Sequence, residues 1–367
     1  MPYAHITGWG MSIPQKILTN DDLAKMVDTN DAWIQERTGI RERHIAAENQ
    51  STASLGAEAA LHALRVANLA PTEIDLIICS TSSPEHTFPA TACLIQDAIG
   101  ATRAGAFDLS AACSGFIFAV NMGAQTIKTG SAKNVLVIGA ETLSRFVDWN
   151  DRNICILFGD GAGAFVLQAS DRPGGVISSV MRSDGSGSDL LSLPAGGSKH
   201  PASEITVHTG MHFIHMDGKE VFRFATRVMA QATIEVAEKA GWKTADLALI
   251  IPHQANRRII DAAARGLKLP MEKFMVNVER YGNTSTASIP IATVEAVQQG
   301  RLKPGDKVVM VGFGAGLTWG ALAAEWSGPI STERKLAPEW YAWFAPARSL
   351  VRRAIRLLEG LFFGRKS

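Results

Sequence analysis

The chain has 367 residues, 46% of them hydrophobic, and a formal net charge of +1 at pH 7. That length and core content suit two domains or one duplicated unit, and the balanced charge excludes a general attraction to nucleic acid. Four cysteines without paired spacing exclude a disulfide framework and point to a reducing compartment.

Met1-Pro-Tyr-Ala-His5 runs into a strand pattern without a basic-then-apolar leader, so the expected location is the cytoplasm. No apolar run reaches the roughly 20 residues of a membrane span. Short apolar strands then alternate with amphipathic helices, the pattern of an α/β fold with buried sheets. An Ala-rich amphipathic run at 56–67 leads through Asp75 into the strand pattern Leu-Ile-Ile-Cys79. Ala106-Phe-Asp-Leu109 leads to Cys113, and Asn134-Val-Leu-Val-Ile138 is strand-like again. Gln168–Gly175 breaks the pattern, and Gly185–Pro201, rich in Gly, Ser and Pro, reads as a surface loop.

The order then repeats. A second amphipathic run at 229–240 leads through Asp246 to Leu-Ala-Leu-Ile-Ile251, then Met275-Val-Asn-Val278, then Lys307-Val-Val-Met-Val311. Cys113 lies 38 residues after Asp75 and Asn283 lies 37 after Asp246, so the two are expected at equivalent places. Two halves, 1–170 and 171–327, related by a pseudo-twofold would bring both strand-to-helix junctions to one centre. An extension, 328–367, differs in character.

Cys113 is the candidate nucleophile. Ser114 and Gly115 lead into an apolar helix pattern, whose N-terminal partial charge is expected to lower the thiol pKa. Cys79, Cys93 and Cys155 sit in strand-like or helical runs and read as small buried hydrophobes. His253, at the end of Ile250-Ile-Pro-His, and Asn283, in a Gly-rich turn, supply donors for carbonyl chemistry. Gly159-Asp-Gly-Ala-Gly163 lacks the spacing of a nucleotide loop and reads as close strand–helix packing. No cluster has metal-ligand spacing, so no metal is expected.

Six stretches in order carry a resemblance. They are Thr29-Asn-Asp-Ala-Trp33-Ile-Gln-Glu-Arg37-Thr-Gly-Ile-Arg-Glu-Arg43, Asp108-Leu-Ser-Ala-Ala-Cys113-Ser-Gly115, Phe158-Gly-Asp-Gly-Ala-Gly163, His253-Gln-Ala-Asn256, Gly282-Asn-Thr-Ser-Thr-Ala-Ser-Ile-Pro290 and Gly312-Phe-Gly-Ala-Gly316. Over about residues 3–326 the chain resembles the β-ketoacyl-acyl-carrier-protein synthases III of the thiolase superfamily. The resemblance implies a five-layered αβαβα fold, a homodimer, and decarboxylating condensation of a short acyl-CoA with malonyl-ACP to start fatty acid synthesis. The acyl-CoA is then a substrate, and no cofactor is expected.

The same resemblance assigns roles. Cys113 carries the acyl group as a thioester, and His253 and Asn283 donate to the malonyl thioester oxygen that becomes an enolate. The oxyanion loop contains Phe313 and Ala315, with the N–H groups of Cys113 and Ala315 as donors. Thr29, Trp33, Arg37, Arg152, Gly218, Phe222 and Asn256 fall on the CoA site, with Trp33 and Arg152 clamping the adenine. Leu143 and Phe158 line the acyl pocket, and Phe88 is lent to the partner's pocket. Arg223, Arg258 and Arg265 fall on the acyl-carrier-protein patch.

Neighbouring families fit less well. Non-decarboxylating thiolases need a second cysteine in the C-terminal Gly-rich loop, which here reads Gly312-Phe-Gly-Ala-Gly-Leu-Thr318. A type III polyketide synthase usually lacks the Trp33-to-Arg43 stretch, and a hydroxymethylglutaryl-CoA synthase needs a glutamate base near its cysteine. A synthase-III-like enzyme of polyketide metabolism stays open as the alternative. In the extension, eight basic residues stand against three acidic ones. Leu350, Val351, Ala354, Leu357, Leu358, Leu361 and Phe362 oppose an Arg348/Arg352/Arg356 stripe, with Trp340, Trp343, Phe344 and Phe363 nearby. Two readings stay open for it: an interfacial helix against a membrane or partner, or a helix docked on its own protein.

Overall fold

The computed structural model describes residues 1–329 and 337–363, the last five by backbone alone. Glu333, Arg334, Lys335, Arg365 and Lys366, and the side chains of Glu359, Leu361, Phe362 and Phe363, therefore lie outside the described residues.

Two principal sheets form among the described residues. One has the strand order Tyr3–Ser12, Gly161–Ser170, Asn134–Glu141, Leu76–Ser80, Gly105–Leu109. The other runs Leu249–Pro252, Lys307–Gly314, Thr318–Glu325, Gly175–Ser183. Leu76–Ser80 is parallel to both neighbours, as Leu249–Pro252 is to Lys307–Gly314, and the remaining pairs are antiparallel.

Both faces of each sheet are covered, which explains the near-continuous apolar strands. The helices Gly115–Lys128 and Ser288–Gln298 lie between the sheets. Phe116 and Ile289 there share one core with Ile78 and Phe165 of the first sheet and Met310 and Leu322 of the second. Ser288–Gln298 is buried at every position from Ser288 to Ala296, so it needs no polar face. Outside the first sheet, Thr52–Ala67 and Thr91–Ile99 pack Leu55 and Ile95 on Ile77 and Leu136. Outside the second, Gly218–Lys239 and Arg257–Leu267 pack Val228 and Ile260 on Ile250 and Val309. The result is the five-layered αβαβα thiolase arrangement.

The repeat is real, but its register differs from the sequence count. Leu76 and Leu249 open equivalent strands, and 37 residues on from each stand Cys113 and Thr286. Thr286, not Asn283, is the pseudo-twofold mate of Cys113, because the connection from Asp246 to its strand is two residues longer than that from Asp75. Both junctions share a short 3-10 turn, Ala112–Ser114 and Ser285–Ala287, each entering a middle helix. Ala112 (φ 47°) and Ser285 (φ 49°) are mates and both left-handed, a conformation that non-glycine residues hold only under tertiary constraint.

Candidate active site

The two junctions meet at the inner end of a tunnel. A cavity of about 990 Å³ opens between Trp33, Arg37, Phe222, Asn256 and Arg258. Gly218, Phe222 and Asn256 on its wall also border an inner space of about 80 Å³ that holds Cys113, His253 and Asn283 together. On the other side of Cys113 lies an apolar space of about 100 Å³, lined by Leu143, Phe146, Phe158, Leu193 and Ile214. The cysteine thus stands where the tunnel meets a short blind pocket.

Cys113 is fixed from several sides. Ser114 Oγ lies 2.8 Å from Ala111 O and from Thr318 Oγ1, and Thr318 Oγ1 lies 3.0 Å from Ala315 O. These links hold the nucleophile turn against the Gly314–Thr318 hairpin. A Cβ on Gly314 would lie 2.6 Å from Cys113 N, so only glycine lets the strand approach this closely. The expected low thiol pKa is not found. Burial pushes the thiol up to about 12, while a hydrogen bond with Ser285 pulls it down. A helix N-terminus contributes at most about 2 kcal/mol, or roughly one and a half pH units. Desolvation outweighs it.

His253 is buried, and burial alone pushes its imidazole down to about 3, so the ring is neutral. Its Nδ1 lies 2.6 Å from Ser288 Oγ, which also accepts the Gln254 N–H at 3.3 Å. Assigning the serine hydrogen to Nδ1 places the imidazole proton on Nε2, the tautomer in which Nε2 is a donor. Nε2 is buried and has no partner among the described residues. It is a donor held ready beside Cys113. The Phe313 ring packs at 64° against the imidazole, 5.3 Å between centroids, so Phe313 is a wall for His253.

Asn283 is clamped by its backbone. Its N–H donates to Leu157 O (2.8 Å), and its carbonyl accepts from Gly159 N (3.1 Å). Its Oδ1 accepts the Ser285 N–H at 2.9 Å, which fixes the amide and leaves the NH₂ group to donate. Arg43, fully buried, braces the same region through Leu18 O, Asn20 Oδ1 and Ile156 O. A neutral imidazole N–H and an amide N–H₂ therefore share one water-poor space with a thiol. That is a constellation for stabilising a developing enolate next to a thioester.

Comparison with known proteins agrees. Models of 3-oxoacyl-[acyl-carrier-protein] synthase III match residues 107–185, and of its C-terminal region residues 237–326. The β-ketoacyl-[acyl-carrier-protein] synthase III of Symbiobacterium thermophilum is 55% identical over 321 residues, 88% of this chain and 97% of that one. The chain belongs to the β-ketoacyl-acyl-carrier-protein synthase III family. The crystal structure of 3-oxoacyl-[acyl-carrier-protein] synthase III from Aquifex aeolicus VF5 is similar at TM-score 0.81 and 49% identity, covering 88% of this chain and 100% of that one. The priming β-ketosynthase of the R1128 polyketide pathway is similar at TM-score 0.83 with 35% identity, covering 89% and 97%.

In this synthase III chain the other expected residues divide. Trp33, Arg37, Gly218, Phe222 and Asn256 line the outer cavity. Arg37 and Arg152 both lie over the Trp33 ring, 4.4 and 4.6 Å from its centroid, so the ring is already stacked by guanidinium groups. Arg152 is also paired with Asp28 at 3.2 Å. The Asn256 amide is already engaged: it caps Arg257–Leu267 through Arg258 N (2.9 Å) and donates to Arg37 O (3.0 Å). Thr29 is absent from the cavity wall, but its Oγ1 is buried without a partner among the described residues.

Leu143 and Phe158 line the blind pocket, as does Ala315. Phe88 is 84% exposed and outside its own chain's pocket. Of the three arginines on the expected carrier-protein patch, Arg223 is exposed and paired with Glu220 at 2.9 Å. Arg258 is exposed, lies over the Phe222 ring (5.2 Å) and also lines the outer cavity. Arg265 is exposed. Cys79 and Cys155 are buried, whereas Cys93 is exposed, contrary to the sequence reading. Gly163 packs on Pro290, where a Cβ would lie 2.6 Å from the ring, and Asp160 is buried and accepts from Ala46 N and Ser144. Among the described residues no group of three or more metal-ligating side chains is placed to hold an ion.

Sequence reasoning missed Ser288, Ser285, Glu141 and Arg43. Ser285 and Ser288 follow Asn283 within the same stretch and could have been found there. Arg43 closes the quoted Thr29-to-Arg43 stretch, whereas Glu141 comes from a distant strand and leaves no local signal.

Proposed function

We propose that this chain runs its family's condensation, an acyl-CoA primer with malonyl-ACP, with Cys113 as acyl carrier and His253 and Asn283 as enolate donors. The Cys113 sulfur attacks the acyl-CoA thioester, and CoA leaves by the tunnel. Malonyl-ACP then enters, its carboxylate leaves as CO₂, and the thioester oxygen takes the negative charge. His253 Nε2–H and Asn283 Nδ2–H donate to that oxygen. The carbanion attacks the Cys113 thioester, whose oxyanion faces the N–H groups of Cys113 and Ala315. Collapse releases a 3-oxoacyl-ACP and the Cys113 thiolate, which takes up a proton from solvent.

The observation that carries this reading is the unpartnered, buried His253 Nε2 beside Cys113. The blind pocket of about 100 Å³ supports a short acyl primer, acetyl first. The exposed Phe88 supports a homodimer in which each chain reaches into its partner. Arg265 and Arg223 at the tunnel's side suit an acidic carrier protein, and no cofactor is called for. The cytoplasm is the compartment where both thioester substrates are available.

The extension has a separate role in this reading. Arg348 donates to Asp97 O (2.8 Å), Ser349 to Asp97 Oδ2 (2.6 Å), and Glu339 pairs with Arg65. Arg348 is therefore a docking residue and not part of a free stripe. Beyond it Leu350, Val351, Ile355, Leu357 and Leu358 are exposed, with Arg352, Arg353 and Arg356. A docked first turn that leaves an apolar face and free arginines outward supports peripheral contact with an anionic membrane. Among the described residues no helix is long and apolar enough to cross one. Incubation with acetyl-CoA and malonyl-ACP tests the central reading. Release of CO₂ with formation of 3-oxobutanoyl-ACP supports it, and no product from any acyl-CoA of a short-chain panel contradicts it.

A further inference from the structure

Glu141 is the last residue of the strand Asn134–Glu141 and is completely buried. Its carboxylate accepts from Ser83 Oγ (2.5 Å), from Ser82 N (3.1 Å to each oxygen) and from Thr81 Oγ1 (3.3 Å). These three residues form the turn that follows the strand Leu76–Ser80. Ser83 Oγ also accepts the Thr142 N–H at 2.9 Å, and Ser83 O accepts from Thr52 Oγ1 at 2.7 Å. The Ser82 N–H is shared between both carboxylate oxygens, so an amide here would set its NH₂ against that N–H in either orientation. Burial pushes the carboxyl up to about 7, so its charged form is held at a cost to stability.

The second half shows what the turn is for. Leu76 and Leu249 open equivalent strands, so residues 80–83 are the mates of residues 253–256. Ala255 borders the inner space on the tunnel side of Cys113, and its mate Ser82 borders the blind pocket on the other side. The second turn holds itself. Gln254 Nε2 donates to Pro252 O (2.8 Å) and Met275 O (3.1 Å), and Asn256 caps the helix Arg257–Leu267. The first turn has only short hydroxyl side chains, and residues 84–89 beyond it are exposed. It is held from the neighbouring strand by Glu141, whose mate Gly314, also eighth in its strand, has no side chain.

We propose that Glu141 sets the acyl specificity of Cys113 by clamping residues 81–83 as one wall of the blind pocket, an inference that rests on that pocket taking the acyl group. The pocket measures about 100 Å³, and Leu143, Phe146, Phe158, Leu193 and Ile214 make its other walls apolar. Glu141 acts on two walls at once. Leu143 follows it by two residues, and the bond from Thr142 N to Ser83 Oγ ties the Leu143–Phe146 turn to residues 81–83. With the clamp in place, a longer acyl chain has to push a hydrogen-bonded turn aside. Without it, residues 81–83 yield toward the exposed segment that follows, and the pocket lengthens. Glu141 touches no substrate atom and is a positioning residue.

The test is competition between acetyl-CoA and hexanoyl-CoA for acylation of Cys113 in the full chain, read by intact mass. The ratio of the two acyl-enzymes does not depend on how much of the protein is folded. Glu141→Gln and Glu141→Asp, whose carboxylate stops one methylene short, are each expected to shift it about tenfold toward hexanoyl. Ser83→Ala is expected to shift it less, in the same direction. A folded Glu141→Gln with the wild-type ratio overturns the clamp, even where both rates have fallen together. If Glu141→Gln does not fold, an unchanged ratio in Ser83→Ala overturns it instead. Ile214→Ala widens the pocket directly and is the control. An unchanged ratio there means that the acyl group lies elsewhere and the reading of the pocket fails. A shifted control with unmoved Glu141 and Ser83 variants rejects the clamp alone.

Discussion

Ser288 Oγ and His253 Nδ1 are hydrogen-bonded across 2.6 Å, and this single bond turns the other imidazole nitrogen, Nε2, toward the space that holds Cys113. Ser288 opens the middle helix Ser288–Gln298, and its mate in the first half is Gly115, where a Cβ would lie 2.1 Å from Ser80 Oγ. The second half has a hydroxyl at the position where the first half has no room for a side chain. The setting of the His253 ring thus depends on a difference between two copies of one structural unit.

Ser288→Ala is expected to lower malonyl-ACP decarboxylation about tenfold, the worth of one orienting hydrogen bond of roughly 1–1.5 kcal/mol. Asn283→Ala removes a donor outright and is expected to cost about 3 kcal/mol, a hundredfold or more in the same step. Both variants should keep Cys113 acetylation within a few-fold of wild type. Separate assays of [¹⁴C]CO₂ release and of acetyl-enzyme formation check this. Equal loss in both half-reactions contradicts the division of labour.

Two buried groups should tilt stability in opposite directions with pH. His253 has a folded pKa of about 3, below its ordinary value, so its contribution is present above pH 6.5 and lost as pH falls toward 3. Glu141 has a folded pKa of about 7, above its ordinary value, so its contribution is present below pH 4.5 and lost as pH rises through 7. Urea midpoints measured between pH 7.5 and 4.5 check both. Relative to His253→Gln the wild type should weaken toward acid pH, and relative to Glu141→Gln it should strengthen. Slopes of the same sign contradict the burial account.

Charge reversal separates the carrier-protein patch from the tunnel mouth. Arg265→Glu should raise KM for malonyl-ACP, more strongly at low salt, and leave KM for acetyl-CoA unchanged. Arg258→Glu should raise both, because Arg258 lies over Phe222 in the cavity. Steady-state kinetics with each substrate varied in turn decide it. An Arg265 effect on acetyl-CoA would remove that residue from the patch.

Much of the fold was legible because buried strands and Ala-rich helices recur in the same order in both halves. The register was not, since the extra two residues after Asp246 moved the mate of Cys113 from the expected Asn283 to Thr286. Cys113, His253 and Asn283 were legible from their turns and converge on one cavity. The thiol's acidity was misread because a helix start is visible in sequence and desolvation is not. Glu141 ends an apolar strand, and its partners Ser82 and Ser83 stand 59 and 58 residues away, so no local pattern marks it.

Truncation after Ser327 is expected to leave turnover intact and to abolish co-sedimentation with vesicles containing anionic lipid. Truncation removes the exposed contacts to Asp97 and Arg65, worth about 1 kcal/mol or less apiece, together with the packing of buried Pro338 and Ala345. Full-length protein that ignores such vesicles at low salt contradicts the membrane role, and unfolding on truncation would make the helices a structural brace.

Intact-mass spectrometry of the protein after brief exposure to acetyl-CoA tests the central claim most directly. The wild type, Cys79→Ser, Cys93→Ser and Cys155→Ser should each gain one acetyl group that hydroxylamine removes, and Cys113→Ser should gain none. A thioester that still forms on Cys113→Ser would contradict the account.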